Sequence, residues 1–495
     1  MRGCRLYKLL LFFCCLIFGV STMAQQKLIN APKIAPALLI KDLQTLHQVL
    51  QENHPSVYWY TPKDSMDLHF SRALASVKDS MSAWQFRNVV ATYLANIKCG
   101  HTSVYFSPKL TKQYTKYRFP QFPLQLKVWK DSAVVIGNLY TKDSILKRGT
   151  IVTSINQLPV SVLVDSMYRI ISTDGNSINF KSQVLTNGFS SWYKARFGNQ
   201  DSVYQISYID SLGNKQTTQI AAYAPPKPKK DSLKTTTDTA SKSKSIKPVT
   251  PKKWTLLIDS ATSTAFMNLS SFSGRGFKKF ITKSFRNIKV SGVKNLVIDL
   301  RSNGGGEIKN STILTKYVSD HSFKIADSVF ANNRGVRKIP FGSYFSVMGH
   351  ALAKLMISKK MDGGGYHLKR YETHYYQPFT KNHFDGSVYV LQGGYTFSAS
   401  TLFTSPLINQ NNVTIIGEET GGGFYGNSAI LIPTIKLPNS KLLFRLPLYR
   451  MVMDKTRPKG RGVVPDILVE PNSYAIKLGI DNKLEAVKKL IQQKN

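Results

Sequence analysis

Apolar residues recur at helical spacing in the first part of the chain. The segments IKDLQTLHQVLQENHPSVY and MSAWQFRNVVATYLANI place apolar side chains three and four positions apart. This spacing is typical of amphipathic helices that bury one face. We therefore predict a helical N-terminal domain over residues 25–118.

The spacing changes after residue 118. FPLQLKVW, SAVVIGNLY and YQISYIDSLGNKQTTQI alternate or run apolar between turn residues, as β-strands do. We predict a β-rich domain over residues 119–225. Residues 226–253 then consist mostly of lysine, serine, threonine and proline, which offer little surface to bury. This stretch is predicted to be a disordered linker.

The remainder, residues 254–495, alternates apolar strands with helical segments. NLVIDL is followed by a glycine turn and EIKNSTILTKYV, and SVYVLQ is followed by SASTLFTSPLINQ and then VTIIG. This order is typical of βαβ units, in which helices connect parallel strands. The pattern predicts an α/β core within a multidomain α/β protein.

The composition of the N-terminal residues indicates how the protein is targeted. MRGCRLYKLLLFFCCLIFGVSTMA has basic residues, a short apolar run and then small residues, which is typical of an export signal. We predict a cleaved signal peptide over residues 1–24, and an exported protein of the bacterial periplasm or cell envelope without stable membrane insertion. Cleavage leaves Cys99 as the only cysteine, so neither a disulfide nor a cysteine-metal site is expected.

The net charge is +39, yet the basic residues are scattered along the sequence and no nucleic-acid-binding motif accompanies them. Nucleic-acid recognition ordinarily combines clustered basic residues with such a motif. We therefore expect a solvated basic surface and no nucleic-acid partner.

Ser398 lies between a predicted strand and a predicted helix. Unpaired N–H groups and the helix dipole at such a position favour a developing negative charge, as a nucleophile and its oxyanion require. A serine here also suits simple capping of the helix. The segment by itself leaves both interpretations open.

Two further stretches carry candidate chemistry. DLRSNGGGEI contains three glycines, Gly304 to Gly306, whose N–H groups suit an oxyanion hole or a phosphate cradle, and no P-loop lysine follows them. IKCGHTSVYF contains His101, which on its own is more often structural than catalytic. Cys99 is an alternative nucleophile only if a separate base serves it.

These stretches occur in an order that resembles the tail-specific, or C-terminal-processing, serine protease family, in particular its non-lysine branch with the tricorn core protease. The matching pieces are GHT, LVIDLRSNGGG, VYVLQGGYTFSAS, IIGEETGGG and GRGVVPDILV. The resemblance implies a crotonase/ClpP-like protease core, a PDZ-like domain around GTIVTSINQLPV, and no cofactor or metal. It also implies polypeptide substrates, such as unstructured or C-terminal segments of envelope proteins.

The resemblance implies roles for particular residues. Ser398 is the nucleophile, and the N–H groups of Ala399 and of Gly305 in the glycine turn form the oxyanion hole. The processing branch uses a lysine base where Gly423 stands, and a glutamate where Thr401 stands. A lysine must have its pKa strongly lowered to accept a proton near neutrality, whereas the pKa of a histidine begins near 6.5.

His101 is therefore the expected base, as in the tricorn-like branch. That branch takes its orienting acid from the region before the GVVPD motif, where RMVMDKTRPKGRG offers Asp454, and Glu418 and Glu419 are the alternatives. The helper serine of the branch is replaced by Gly100.

Three functions compete at this stage. The leading one is an exported serine endopeptidase that forms an acyl-enzyme. The second is a catalytically inactive protein that binds peptides or ligands on the same scaffold. The third is a hydrolase or lyase of another class on a crotonase-like core.

Overall fold

The computed structural model describes residues 32–115, 120–129, 132–198, 201–224, 253–361 and 365–494. The predicted signal peptide and all but the last residue of the predicted linker lie outside these residues. Within them, no helix has the length and apolar character needed to cross a membrane.

Four helices make up most of the N-terminal region. They are α1 (Pro36–Asn53), α2 (Lys63–Ala75), α3 (Ala83–Ala95) and α4 (Pro108–Thr115). A capping box formed by Ser82 and Gln85 begins α3 and satisfies backbone donors that the helix leaves unpaired. One face of α1 is buried as the spacing predicts, through Leu39, Leu43, Leu46, Val49 and Leu50, while Leu38 is exposed. A short antiparallel pair, β1 (Lys33–Ile34) and β2 (Met81–Ser82), joins the segment before α1 to the segment before α3.

The second region contains an antiparallel sheet in the order β4-β5-β6-β8-β9, with β7 added to β6. Its strands are β4 (Leu124–Trp129), β5 (Ser132–Asn138), β6 (Ile151–Ile155), β7 (Leu158–Pro159), β8 (Val203–Ile209) and β9 (Lys215–Ala221). Two helices, α5 (Val160–Tyr168) and α6 (Ile178–Phe197), pack with it.

The prediction of a β-rich domain over residues 119–225 therefore omits a long helix, α6. Gly188 inside α6 has non-helical dihedral angles, so the helix is kinked and its apolar period is interrupted. The helix forms because Leu185, Phe189 and Tyr193 are buried in the core against the sheet.

The third region confirms the α/β fold class. A six-stranded sheet runs in the order β10-β11-β12-β16-β17-β22, parallel from β11 onward. Its strands are β10 (Trp254–Asp259), β11 (Thr264–Leu269), β12 (Asn295–Asp299), β16 (Ser387–Gln392), β17 (Val413–Gly417) and β22 (Ile467–Leu468). The helices of this region are α7 (Phe277–Ser291), α8 (Ile308–Val318), α9 (Tyr344–Ile357), α10 (Lys369–Thr373), α11 (Ala399–Thr404), α12 (Ser473–Leu478) and α13 (Asn482–Lys494).

Two smaller sheets complete the described structure. One has the order β14-β15-β13-β21-β18, from strands Lys359–Lys360, Tyr366–His367, Ser328–Ala331, Tyr449–Val452 and Gly426–Ala429. The other has the order β19-β20-β3, from strands Thr434–Lys436, Leu443–Arg445 and Val104–Tyr105. Since β3 begins three residues after His101 and pairs with β20, the N-terminal region is tied to the C-terminal region next to this histidine.

A buried carboxylate reinforces this connection. Asp42 on α1 is fully buried and accepts hydrogen bonds from the backbone N–H groups of Asn439 and Ser440, at 3.0 and 2.7 Å, and from the Asn439 side chain. These residues form the turn between β19 and β20. The charge is thus compensated by donors from the strand pair that holds β3.

We expect Asp42→Ala to lower the free energy of unfolding by about 2–4 kcal/mol, because it leaves buried donors without an acceptor. Urea denaturation followed by circular dichroism measures this change. The matched control is Asp79→Ala, which removes an exposed carboxylate and should change stability by less than about 0.5 kcal/mol. Equal effects of the two substitutions would contradict the assigned role of Asp42.

Candidate active site

Ser398 lies in a sharp turn between β16 and α11. Its backbone has φ 56° and ψ −119°, a region that residues other than glycine rarely adopt. Its side chain makes no capping hydrogen bond to α11. Instead, Oγ lies 3.1 Å from Nε2 of His101. The strained turn therefore presents the hydroxyl to the histidine rather than to the helix.

Asp174 lies on the other side of the His101 ring. Its Oδ1 is 3.9 Å from His101 Nδ1, and both side chains are buried. The same Oδ1 accepts a hydrogen bond of 2.8 Å from the backbone N–H of Gly100. A serine, a histidine and an aspartate are thus arranged in a row, in the order that general-base catalysis by histidine requires.

The loop between α5 and α6 carries Asp174, and backbone contacts fix this loop on both sides. The N–H of Gly175 donates to the carbonyl of Lys98 at 3.0 Å, and the N–H of Asn176 donates to the carbonyl of Gly460 at 3.0 Å. Gly175 has φ +59°, and a Cβ there would lie 2.5 Å from the Cα of Gly460. The aspartate is therefore held between the segment that carries His101 and the C-terminal region.

Gly100 is required by the packing around His101. A Cβ on Gly100 would lie 2.5 Å from the ring of Phe397. That ring in turn packs against His101, with centroids 4.8 Å apart, and stacks on Phe180 at 4.6 Å. Gly100 occupies the position at which the resemblance to the tricorn-like branch implies a helper serine. A side chain there would fit only if Phe397 moved.

The place of the family's lysine is also closed to a side chain. A Cβ on Gly423 would lie 2.3 Å from the carbonyl oxygen of Gly426 and 3.8 Å from the Cβ of Asp174. Thr401 is buried, and its hydroxyl bonds the carbonyl of Thr396. The space beside position 423 thus adjoins Asp174, the carboxylate next to His101.

The glycine turn approaches Ser398 closely. Gly305 has φ +103°, and a Cβ there would lie 2.8 Å from the Cβ of Ser398. Its N–H, however, donates to the Asn303 side chain at 3.0 Å. Gly304 and Gly306 line the cleft at Ser398, and Ala399 is the first residue of α11. Among the described residues no hydrogen bond is found for the N–H groups of these three.

The predicted acid lies elsewhere. Asp454 accepts hydrogen bonds from Thr456 and from Arg457, the latter at 2.7 Å. Partial burial raises the pKa of its carboxyl, but the hydrogen bonds from Thr456, followed by the contact with Arg457, lower this pKa overall. Glu418 pairs with Lys483, and Glu419 pairs with Arg461. The structure brings Asp174 rather than any of these three carboxylates to His101.

Two other titratable groups with shifted pKa values are unsuited to act as nucleophile or base. Burial raises the pKa of the Cys99 thiol to about 12, which disfavours the thiolate. Burial lowers the pKa of Lys354 to about 8, but its amine donates to the carbonyl of Gly335 at 3.1 Å, and Lys354 does not line the cleft at Ser398.

His54 supports the segment that follows His101. Burial lowers its pKa to about 3, so its ring is neutral near pH 7. Its Nδ1 accepts from the N–H of Ser56 at 3.1 Å, so Nε2 carries the proton and donates to the Thr102 hydroxyl at 2.8 Å. This histidine therefore orients Thr102 and is not free to accept a proton from a substrate.

A cleft of about 630 Å³ opens at Ser398 and His101. Much of its lining is apolar, from Ile308, Leu402, Ile430, Leu431, Ile432 and Met451, while Arg445, Glu307 and Lys309 add charge. The nucleophile and its histidine therefore face a groove large enough for side chains of a bound chain.

Comparison with known proteins identifies the C-terminal region. Residues 263–469 match the model of peptidase family S41. The match covers less than half of the chain and assigns this part of it to family S41, and the protein is a serine-type peptidase. Among curated proteins, no sequence matches this chain.

The solved structures of mature CPAF show the same fold. The crystal structure of mature CPAF superposes with a TM-score of 0.62 at 13% identity, covering 92% of this chain and 97% of that chain. Mature CPAF complexed with lactacystin gives a TM-score of 0.60 at 13% identity, covering 92% and 98%. The tricorn protease matches over 92% of this chain and 37% of that chain, at 13% identity and a TM-score of 0.39.

The sequence analysis did not identify Asp174 as a candidate acid. The residue lies in STDGNS, which has the composition of an ordinary turn, and the sequence separates it from both His101 and Ser398 by a domain boundary. The available signal was a short acidic turn between two predicted elements of the β-rich domain. Such a signal is too common to identify an active-site residue.

We expect Gly100→Ala to reduce peptidase activity by about 100-fold, because the new methyl group pushes against Phe397 and displaces His101. Hydrolysis of casein, together with the melting temperature, measures this effect. Gly349→Ala is the control, since a Cβ there meets nothing within 4 Å, and it should leave activity unchanged. Full activity of the Gly100→Ala variant would show that the packing between position 100 and Phe397 does not determine the position of His101.

Proposed function

We propose that this peptidase is an exported endopeptidase in which Ser398, His101 and Asp174 act together. Ser398 is the nucleophile and His101 the general base, as the sequence predicts. Asp174 replaces Asp454 as the carboxylate that orients the histidine. The contact of 3.1 Å between Ser398 Oγ and His101 Nε2, across 297 positions of sequence, is the observation that carries this proposal.

Each step of the reaction follows from the positions of these atoms. Ser398 Oγ attacks the carbonyl carbon of the scissile bond while Nε2 of His101 takes its proton. When the tetrahedral intermediate collapses, the imidazolium gives this proton to the leaving amine, and an acyl-enzyme remains. A water molecule then repeats the sequence and releases the acid product.

Asp174 stabilises the imidazolium that forms in each step. Its carboxylate lies 3.9 Å from Nδ1, longer than a hydrogen bond. Catalytic hydrogen bonds are often long in the absence of substrate and shorten in the complex. The hydrogen bond from Gly100 fixes one carboxylate oxygen and leaves the other free for such a contact.

The oxyanion would accept hydrogen bonds from Ala399 N–H and from the glycine turn. The N–H of Gly305 is already bonded to Asn303, which favours Gly304 or Gly306 as the second donor. Gly305 retains a different role, because its lack of a side chain allows the turn to approach Ser398. Two backbone donors of this kind stabilise the developing charge without reorganisation.

Export is supported by the basic and apolar pattern of residues 1–24. The substrates of the peptidase are polypeptides. Unstructured or C-terminal segments of envelope proteins remain the proposed class, and the sheet that resembles a PDZ-like domain is proposed to present them.

We expect a fluorophosphonate probe to label the mature protein at Ser398. Labelling should be lost in Ser398→Ala and His101→Ala, because one removes the nucleophile and the other its base. Asp174→Asn should retain the fold and KM but lower kcat by about 10²–10⁴-fold, since the histidine loses its orienting charge. Asp454→Asn is the matched control and should stay within about threefold of the unchanged protein.

Three outcomes would contradict this assignment. Labelling that survives in Ser398→Ala would remove the nucleophile from the proposal. A loss with Asp454→Asn but not with Asp174→Asn would restore the acid expected from sequence. No labelling of the folded wild type would favour the alternative of an inactive peptide-binding protein on the same scaffold.

The apolar lining of the cleft predicts a preference for apolar side chains next to the scissile bond. We expect kcat/KM to be at least about tenfold higher for peptides with Leu or Phe there than for those with Asp or Lys, because charged groups lose hydration in such a cleft. Cleavage of a peptide library, analysed by mass spectrometry, measures the preference.

Leu431→Asp should weaken this preference, since it places a carboxylate in the cleft lining. Leu431 has φ 50° and is partly exposed, and aspartate tolerates that backbone conformation better than most residues. The same cleavage pattern in this variant would mean that substrate side chains bind elsewhere.

A further inference from the structure

We propose that Cys99, His101 and Asp174 form a binding site for a thiophilic divalent cation of the Zn²⁺ class, and that the bound ion inhibits the peptidase. The inference rests on the proposed role of His101 as the base. The site lies on the Nδ1 side of the imidazole, opposite to Ser398.

The geometry of the three donors supports this site. Cys99 Sγ, a ring nitrogen of His101 and a carboxylate oxygen of Asp174 all lie within 4.8 Å of one another. Tetrahedral zinc with bonds of about 2.0–2.3 Å places its donor atoms about 3.3–3.6 Å apart. Small side-chain rotations therefore close the site around an ion, without a change in the fold.

Two of the polar atoms in this cluster lack hydrogen-bond partners within the described part of the chain. His101 Nδ1 and Asp174 Oδ2 have no hydrogen bond, although His101 is only 6% exposed and Asp174 only 2%. Cys99 is 3% exposed, and its thiol makes a weak contact of 3.8 Å with the carbonyl of Ser428 and further hydrogen-bond contacts with Thr102 and the backbone of His101. Buried polar atoms without partners are rare in proteins, and here two of them belong to neighbouring residues of one three-residue cluster.

The donor set selects the class of ion. Thiolate and imidazole bind Zn²⁺ and Cd²⁺ well, whereas Ca²⁺ and Mg²⁺ prefer oxygen ligands in larger number. A thiolate and a carboxylate together balance the charge of a divalent ion. A water molecule completes the tetrahedron.

Binding would prevent catalysis through the imidazole tautomer. The Cys99 thiol loses its proton to solvent when sulfur binds the ion, and no group is oxidised or reduced. His101 binds through Nδ1, so its remaining proton resides on Nε2. An Nε2–H donates to Ser398 Oγ and cannot accept its proton. The ion would thus inactivate the base without touching the nucleophile.

This site differs from the expectation drawn from sequence, in which Cys99 has no partner for metal binding. That expectation considered cysteines alone. Cys99 and His101 are two positions apart, but the third donor comes from the α5–α6 loop, so only the folded chain assembles the set.

Binding is tested first in the Ser398→Ala variant, which keeps all three donors and cannot digest itself. We expect Cd²⁺ to produce a near-ultraviolet sulfur-to-cadmium charge-transfer band with one equivalent bound. The band should be absent in the double variant with Cys99→Ala, which has no thiol in the mature chain. Absence of the band in folded Ser398→Ala would overturn the site.

Inhibition is tested in the protein with Ser398 intact. We expect Zn²⁺ to suppress casein hydrolysis reversibly, with activity restored by a chelator, and the concentration for half inhibition to rise at least about tenfold in Cys99→Ala. Cys99→Ser, which keeps the size of the side chain and weakens the ligand, should give the same shift. Equal inhibition of all three proteins would overturn the role of the thiol.

The two measurements separate this inference from the proposed function. A charge-transfer band together with no hydrolysis by the metal-free wild type would leave the metal site standing and refute the peptidase mechanism. Hydrolysis that depends on Ser398 and His101, with no band and no thiol-dependent inhibition, would refute the metal site alone.

Discussion

The absence of a side chain at Gly100 is the constraint on which the active site depends. Its N–H holds the carboxylate of Asp174, and its Cα faces the ring of Phe397, which packs on both His101 and Phe180. Any larger residue would push apart the histidine, the aspartate and the turn that carries Ser398. Three regions of the chain meet at this one position.

The active site is therefore a product of contacts between regions rather than of one rigid element. His101 comes from the helical region, Asp174 from a loop of the β-rich region, and Ser398 from the α/β core. The strand pairing of β3 with β20 and the buried Asp42 hold the first of these in place. The helical region also shares one hydrophobic core with C-terminal residues such as Phe444 and Leu446, whereas the β-rich region and the six-stranded sheet have cores of their own.

The same arrangement supports the proposed histidine base in place of the lysine that the resemblance to the processing branch implies. Gly423 occupies the position at which the resemblance to the processing branch implies a lysine. The space next to Gly423 adjoins Asp174. A lysine there would have to displace the carboxylate or the backbone at Gly426. The histidine and its acid occupy the region instead, and Cys99 lies close enough to join them around an ion.

The sequence by itself determined the α/β class and predicted the serine turn and the histidine as candidate site residues, because strand and helix periodicity and short glycine-rich motifs are local properties. It missed α6, whose period is broken at Gly188 and which forms because it is buried against a sheet. It also named Asp454, which lies in the expected stretch but pairs with Arg457. Only the tertiary structure decided that Asp174 lies beside His101, since that proximity comes from packing between residues far apart in the chain.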